Sequence, residues 1–278
     1  MLISIDVQER PVFRHEHIYY LKGDITDGPA FHEMILEIRP DAVFNTAAYT
    51  HVDGCETDRE AAFRLNVTGA ENVAKACRDV PCRMIHLSTD YVFDGKAGPY
   101  SETDPVHPIS YYGETKLESE RIALRLCADS LIVRTMVLYG TGPALRPNFV
   151  TWLVGELRNG RSVNIVDGQY GNATLADDLA AALICLYEKD KRGIYHAAGK
   201  GLFSRYELAL RIARVFGLDE TLIRKIPGSA LRQPATRPER SWLKTEKLAK
   251  ETGYSFLDVD EALRIMKEQM ETVQRDLP

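Results

Sequence analysis

Short apolar runs alternate with stretches of helical period along most of the chain, and few folds accommodate that alternation. The strand candidates are 2–5, 42–45, 83–87, 131–134, 163–166 and 194–197, and the helix candidates are 30–38, 61–78, 112–127, 148–158, 175–187, 206–216 and 259–273. Strands separated by helices pair in parallel, so the order predicts an α/β fold with a doubly wound parallel sheet. In the helix 175–187, Leu175, Leu179, Ala182, Leu183 and Leu186 fall on one side as a core-facing stripe, and Asp177 and Asp178 occupy the first turn, where the helix dipole favours acids. From about Ala198 the strand signals thin, which predicts a smaller C-terminal lobe packed on the sheet's carboxyl edge. The expected division is 1–146 with 174–197 for the sheet domain and 147–173 with 198–278 for the lobe.

A chain of 278 residues with 45% hydrophobic and 27% charged content can bury a large core. Its net charge of −5, with no basic cluster interleaved with aromatics, argues against nucleic acid as a partner. No apolar run reaches the length of a membrane span and no signal-peptide pattern opens the chain, so the expectation is a cytoplasmic protein with no membrane partner. A homodimer is compatible with this composition. The cysteines Cys55, Cys77, Cys82, Cys127 and Cys185 are odd in number and form no Cys-x-x-Cys pair, which predicts free thiols. The histidines lack zinc-ligand spacing, so no metal is expected.

Chemistry concentrates between residues 87 and 116. Tyr112 and Lys116 are four apart on a predicted helix, so phenol and ammonium stack on one face, and the lysine's charge can favour the phenolate. Thr89, at the end of the preceding strand, can offer a second hydroxyl to the same carbonyl oxygen. This set suits moving a hydride to or from a carbonyl, against the alternative of a structural pair on a helix surface. The spacing alone is weak: Tyr187 and Lys191 repeat it in Leu186-Tyr187-Glu188-Lys189-Asp190-Lys191, where no Ser-Thr strand end precedes it and a charged helix terminus is expected.

Hydride chemistry calls for a dinucleotide, whose pyrophosphate is held by a strand, a Gly-rich turn and a helix at the start of the fold. The chain shows no such segment. Met1-Leu2-Ile3-Ser4-Ile5-Asp6 reads instead as the second strand, with Asp6 placed to hold the adenosine ribose, and Gly23-Asp24-Ile25-Thr26-Asp27 as the next strand end, near the adenine. In that register about 25 to 30 residues are absent. Three explanations stay open: a shortened or misplaced start, a natural variant that closes the sheet otherwise, or a different register. The first carries an expectation of poor dinucleotide binding by residues 1–278 and of sheet edges prone to pairing. NAD or NADP is the expected cofactor, with NAD preferred because Asp6 would repel a 2′-phosphate.

Ser88-Thr89-Asp90-Tyr91-Val92-Phe93-Asp94-Gly95 and Tyr112-Gly113-Glu114-Thr115-Lys116 resemble extended short-chain dehydrogenases, specifically the dTDP-4-dehydrorhamnose reductases. Asn45-Thr46-Ala47-Ala48-Tyr49-Thr50, Leu65-Asn66-Val67, Asp167-Gly168-Gln169-Tyr170-Gly171-Asn172-Ala173-Thr174 and Thr236-Arg237-Pro238 with Ser241 and Leu243 resemble further motifs of that family, in order. The resemblance implies a Rossmann-like sheet lacking its first βα unit, a substrate-binding lobe, and NAD(P)H-dependent reduction of the C4 keto group of a nucleotide-diphospho-sugar. It implies Tyr112 as proton donor, Lys116 as its pKa partner and nicotinamide-ribose ligand, and Thr89 as the carbonyl-orienting hydroxyl. On the cofactor side it sets Asp6, Asp24, Ile25, Ala47, Ala48, Tyr49, Asn66 and Ser88, with Asn66 holding either the helix geometry or a water behind the lysine. On the substrate side it sets Asp90, Tyr91, Arg134, Gln169 and Arg237, the last beside the diphosphate.

Two departures weaken the case for rhamnose itself. Met136-Val137 stands where the family usually places an aromatic, and Asn172-Ala173-Thr174 lacks the usual proline. A sugar-nucleotide dehydratase would need an acid at the position of Tyr91, so elimination is disfavoured. An epimerase using the same Tyr and Lys, and a regulatory subunit that uses this fold to bind a partner enzyme, remain alternatives.

Overall fold

The computed structural model describes residues 1–9, 15–142, 146–231 and 233–275. The first half runs β1 (Leu2–Asp6), β2 (Ile18–Lys22), α1 (Gly28–Ile38), β3 (Ala42–Asn45), α2 (Val52–Thr57), α3 (Arg59–Phe63), α4 (Ala70–Asp79), β4 (Arg83–Thr89), α5 (Tyr111–Leu126) and β5 (Leu131–Thr135). The second half runs β6 (Leu138–Tyr139), α6 (Phe149–Arg158), β7 (Val163–Asp167), β8 (Tyr170–Gly171), β9 (Thr174–Leu175), α7 (Ala176–Glu188), β10 (Gly193–His196), β11 (Phe203–Ser204), α8 (Arg205–Phe216), β12 (Ile223–Pro227), α9 (Glu246–Thr252) and α10 (Val259–Arg275).

The central sheet is parallel, in the order β10-β5-β4-β3, and β1 and β2 form a second parallel pair. Among the described residues no ladder joins the two. They nevertheless share a core: Phe31 and Ile35 of α1, Val73 and Cys77 of α4, Met84 of β4 and Ile132 of β5 pack together, and Ile5 of β1 and Ile25 lie against them. Strands β4 and β5 are covered on both faces, which is why they read as continuous apolar runs rather than alternating ones. On the opposite face the stripe of α7 is buried as expected, with Leu179, Ala182, Leu183 and Leu186 against Ile85, Leu131 and Val133. Each such fully buried aliphatic contributes about 1.5–3 kcal/mol.

The second lobe has its own core, built from Val150, Leu153 and Leu157 of α6, Val163 and Ile165 of β7, Ile212 and Phe216 of α8, and Leu263 and Met266 of α10. β12, in the segment read as poor in strands, pairs in parallel with β7 through Ile223 and Ile226. The chain then returns to the sheet: Leu248 of α9 and Phe256 join the core beneath α7. Asp178, in the first turn of α7, pins this return by accepting from the Tyr254 hydroxyl and, at 2.8 Å, from the Leu257 amide. A division at residue 198 misses that crossing, because the boundary signal is compositional and the return is made by a few buried side chains.

The helix expected over 61–78 is continuous but not regular. Between α3 and α4 the segment Arg64–Gly69 widens into a π-helical turn that carries the buried Asn66 inward. Such turns interrupt regular helices where a side chain has a specific task.

Candidate active site

The carboxyl ends of β3, β4 and β5 and the start of α5 converge, as parallel sheets direct ligand sites. Ser110 caps α5, its hydroxyl accepting from the Gly113 amide at 3.3 Å, and Glu56 of α2 accepts from the Tyr111 amide at 2.7 Å. Gly113 is required here: a Cβ would sit 2.3 Å from the Tyr91 carbonyl oxygen, so only glycine lets the turn after β4 press on the helix. That approach sets the Tyr91 and Tyr112 rings edge to face at 5.5 Å.

Tyr112, Thr89 and Lys116 are brought together, in a drier setting than the spacing alone implies. Burial pushes the Tyr112 phenol well above its ordinary range, and the neighbouring Thr89 hydroxyl opposes that shift. Lys116 follows one helical turn after Tyr112 on α5. Its Nζ donates to the Leu87 carbonyl at 2.7 Å and lies 3.3 Å from His86 Nε2. Burial depresses Lys116 to about 8, with the Glu120 carboxylate pulling upward. His86 is held uncharged by burial and by the adjacent ammonium.

Behind this group lies a buried network. Glu120 and Arg134 form a bidentate pair at 2.8 and 2.7 Å, 1% and 2% exposed, and Ser88 donates to Glu120 at 2.5 Å. Ser88 and Arg134, placed by the sequence beside the cofactor and the substrate, are thus engaged internally. Asn66 accepts from the Tyr49 amide at 2.7 Å and donates to Thr115 Oγ1 at 3.0 Å, so it ties the turn after β3 to α5. Of the two roles open for Asn66, the structure displays the geometric one.

Asp6 and Asp24 are exposed at the ends of β1 and β2; Asp6 accepts from the Gln8 amide at 2.9 Å and Asp24 from the Thr26 amide at 2.8 Å. Ile25 is half-buried, its carbonyl accepting from Asn72. Ala47, Ala48 and Tyr49 lie on the turn after β3, with Ala47 exposed.

A pocket lined by Asp90, Tyr91, Met136, Gln169, Arg205 and Ser241 among others lies one residue away from Thr89 and Tyr112, which reach it through the Thr89–Asp90 hydrogen bond and the Tyr112–Tyr91 ring contact. Asp90 accepts from the hydroxyls of Thr89 at 3.1 Å and Ser241 at 2.5 Å, and burial raises its pKa to about 6. Met136 fills the place expected of an aromatic and leans on Gly171, where a Cβ would sit 2.1 Å from its methyl. The adjoining Val137 has φ 44°, a left-handed conformation that strains a β-branched residue, and such strain gathers at functional sites. Arg237 forms a bidentate pair with Asp53 of α2, both bonds 2.7 Å, tying the late loop to the sheet domain. Arg205, which faces the pocket from the first turn of α8, was beyond sequence reasoning because it sits in no motif.

The cysteines carry no disulfide, and the described residues hold no cluster of metal-ligating side chains. No helix among the described residues is long and apolar enough to cross a membrane.

Comparison with known proteins gives the family and the fold. A family model described as the RmlD substrate binding domain matches residues 5–272. A dTDP-4-dehydrorhamnose reductase of Mycobacterium tuberculosis is 38% identical over 234 residues, covering 81% of this chain and 75% of that one. The crystal structure of a dTDP-4-dehydrorhamnose reductase from Clostridium acetobutylicum superposes with a TM-score of 0.88 at 31% identity, covering 98% of this chain and 100% of that one. That of a dTDP-4-dehydrorhamnose reductase from Bacillus anthracis, in complex with NADP, gives 0.86 at 29% identity, covering 91% and 90%. The chain belongs to the RmlD substrate-binding domain family, and its α/β architecture is that of the nucleotide-sugar reductases.

Proposed function

We propose that the chain reduces the C4 keto group of a dTDP-sugar, using NAD(P)H. The observation that carries this reading is the convergence of Thr89, Tyr112 and Lys116 beside a pocket that spans both lobes. The residues fit the two ends of a dinucleotide: an exposed acid, Asp6, at the carboxyl end of β1, and small residues, Ala47 and Ala48, on the turn beside α5. When bound, the reduced nicotinamide supplies the hydride.

The chain's own groups do the rest. Tyr112 gives its proton to the oxygen that gains charge as the carbonyl is reduced, and its high pKa in the dry site keeps that proton in place until then. Thr89, fixed at the end of β4, orients the carbonyl oxygen. The Lys116 ammonium, anchored on the Leu87 carbonyl, stabilises the phenolate left on Tyr112 and offers its remaining protons to the nicotinamide ribose. Met136 gives the sugar an adaptable apolar wall in place of a flat ring, which accommodates a 6-deoxy sugar without stacking it.

The test is to supply a dTDP-4-keto-6-deoxyhexose with millimolar NADH or NADPH. A reductase oxidises one dinucleotide for each ketone consumed. Interconversion of the 4-hydroxy epimers of a dTDP-sugar with no net dinucleotide oxidation would instead identify an epimerase. With NADH and NADPH compared, Asp6→Ala is expected to narrow a preference for NADH by roughly tenfold, the worth of one charge-assisted ribose contact. Equal use of both, unchanged by that substitution, removes Asp6 from the cofactor site.

A further inference from the structure

Arg205 stands at the first position of α8, where the pocket wall passes from β11 into the helix. Its backbone is fixed on three sides. Its amide donates to the Gln169 carbonyl at 3.0 Å, the β8–β11 ladder precedes it, and Ser204 and Glu207 close a reciprocal capping box around the helix start. Its guanidinium lies over the Phe149 ring, 5.2 Å from the centroid.

Among the described residues no carboxylate stands within ion-pair distance of this guanidinium. Arg237 is matched by Asp53 and Arg134 by Glu120, while Arg240, which lies over Tyr170, is exposed to solvent. Asp90, the acid of the same pocket, has its oxygens taken by Thr89 and Ser241. A guanidinium does not give up its proton near neutral pH, so Arg205 carries a partly desolvated charge that feels Asp90 across the pocket but is paired directly with no carboxylate. The end of the helix it occupies also favours an anion rather than a cation.

We propose that Arg205 is the anion-binding residue of the pocket and that it takes the diphosphate of the nucleotide-sugar. The assignment rests on the substrate class proposed above and makes it specific. Stacking on Phe149 holds the planar fork ready for two parallel N–H···O contacts, the geometry in which arginine binds phosphate oxygens. The loop arginine marked by the sequence, Arg237, is paired with Asp53.

Calorimetric titration of the full chain with dTDP and with thymidine tests this without any turnover. The wild type is expected to bind dTDP more tightly than thymidine. Arg205→Gln should weaken dTDP by roughly ten- to hundredfold, the range of a hydrogen-bonded charge, and leave thymidine unchanged. Arg205→Lys keeps the charge and loses the fork, so it should bind dTDP roughly threefold or more weakly; it serves as the test if the glutamine variant does not fold. Wild-type affinity for dTDP that survives either substitution overturns the assignment and leaves the substrate class standing. A wild type that binds neither ligand overturns both.

Discussion

The chain carries Tyr-x3-Lys twice, and the two copies meet opposite surroundings. Tyr112 and Lys116 begin a helix whose first turn faces the carboxyl ends of the strands; the lysine is 3% exposed and its pKa is depressed to about 8. Tyr187 and Lys191 end α7 on the far side of the sheet. Tyr187 packs edge to face on Phe44, 6.1 Å between centroids, and lies under the Arg83 guanidinium, while Lys191 pairs with Glu251 at 3.3 Å. The second copy is better packed than the solvated helix end expected from its sequence, and it meets the amino-terminal end of β4 at Arg83 rather than the strands' carboxyl ends. What separates a catalytic pair from a structural one is the ground behind the lysine, not the spacing.

The largest expected difference is in stability. Glu120→Gln leaves Arg134 as an uncompensated buried charge and should destabilise the fold by about 3–5 kcal/mol, whereas Lys191→Met, which removes one side of the partly exposed Lys191–Glu251 pair and leaves Glu251 its bond from Tyr195, should change it by about 1 kcal/mol or less. Denaturant unfolding of the two variants measures both. Similar values would mean that the first copy has no special support.

A smaller effect is expected in the pH profile. Lys116 acts as an ammonium, and its folded pKa lies below the ordinary value, so the charged form is present below about 8 and lost as pH rises through it. Turnover should fall on that limb, and Lys191→Met should leave the limb unmoved. Because Glu120 pulls the Lys116 pKa upward, a folded Glu120→Gln protein should lose activity at lower pH than the wild type. A limb that stays in place in that variant would detach Lys116 from the network behind it.

Much of the fold was legible. The alternation of runs and helices gave the parallel sheet, and the stripe on α7 was read correctly for Leu179, Ala182, Leu183 and Leu186, whereas Leu175 lies in β9 and packs in the core of the second lobe. The site was legible where it depends on strand ends and one helical turn, as for Thr89, Tyr112 and Lys116. It was not legible where one residue serves two distant segments. Asn66 holds both Tyr49 and Thr115 by opening a π-helical turn, Arg134 turns inward to Glu120, and Arg237 pairs with an aspartate 184 residues earlier. Such partners are fixed by tertiary packing, which leaves no local period or spacing to read.

The central claim is that Tyr112, and not its twin, supplies the proton. Tyr112→Phe keeps the ring and its contact with Tyr91 and should lower turnover by on the order of 100-fold or more with unfolding little changed. Tyr187→Phe should turn over ketone at the wild-type rate. Equal rates in the two variants, measured side by side with the same dTDP-sugar and dinucleotide, would contradict the assignment.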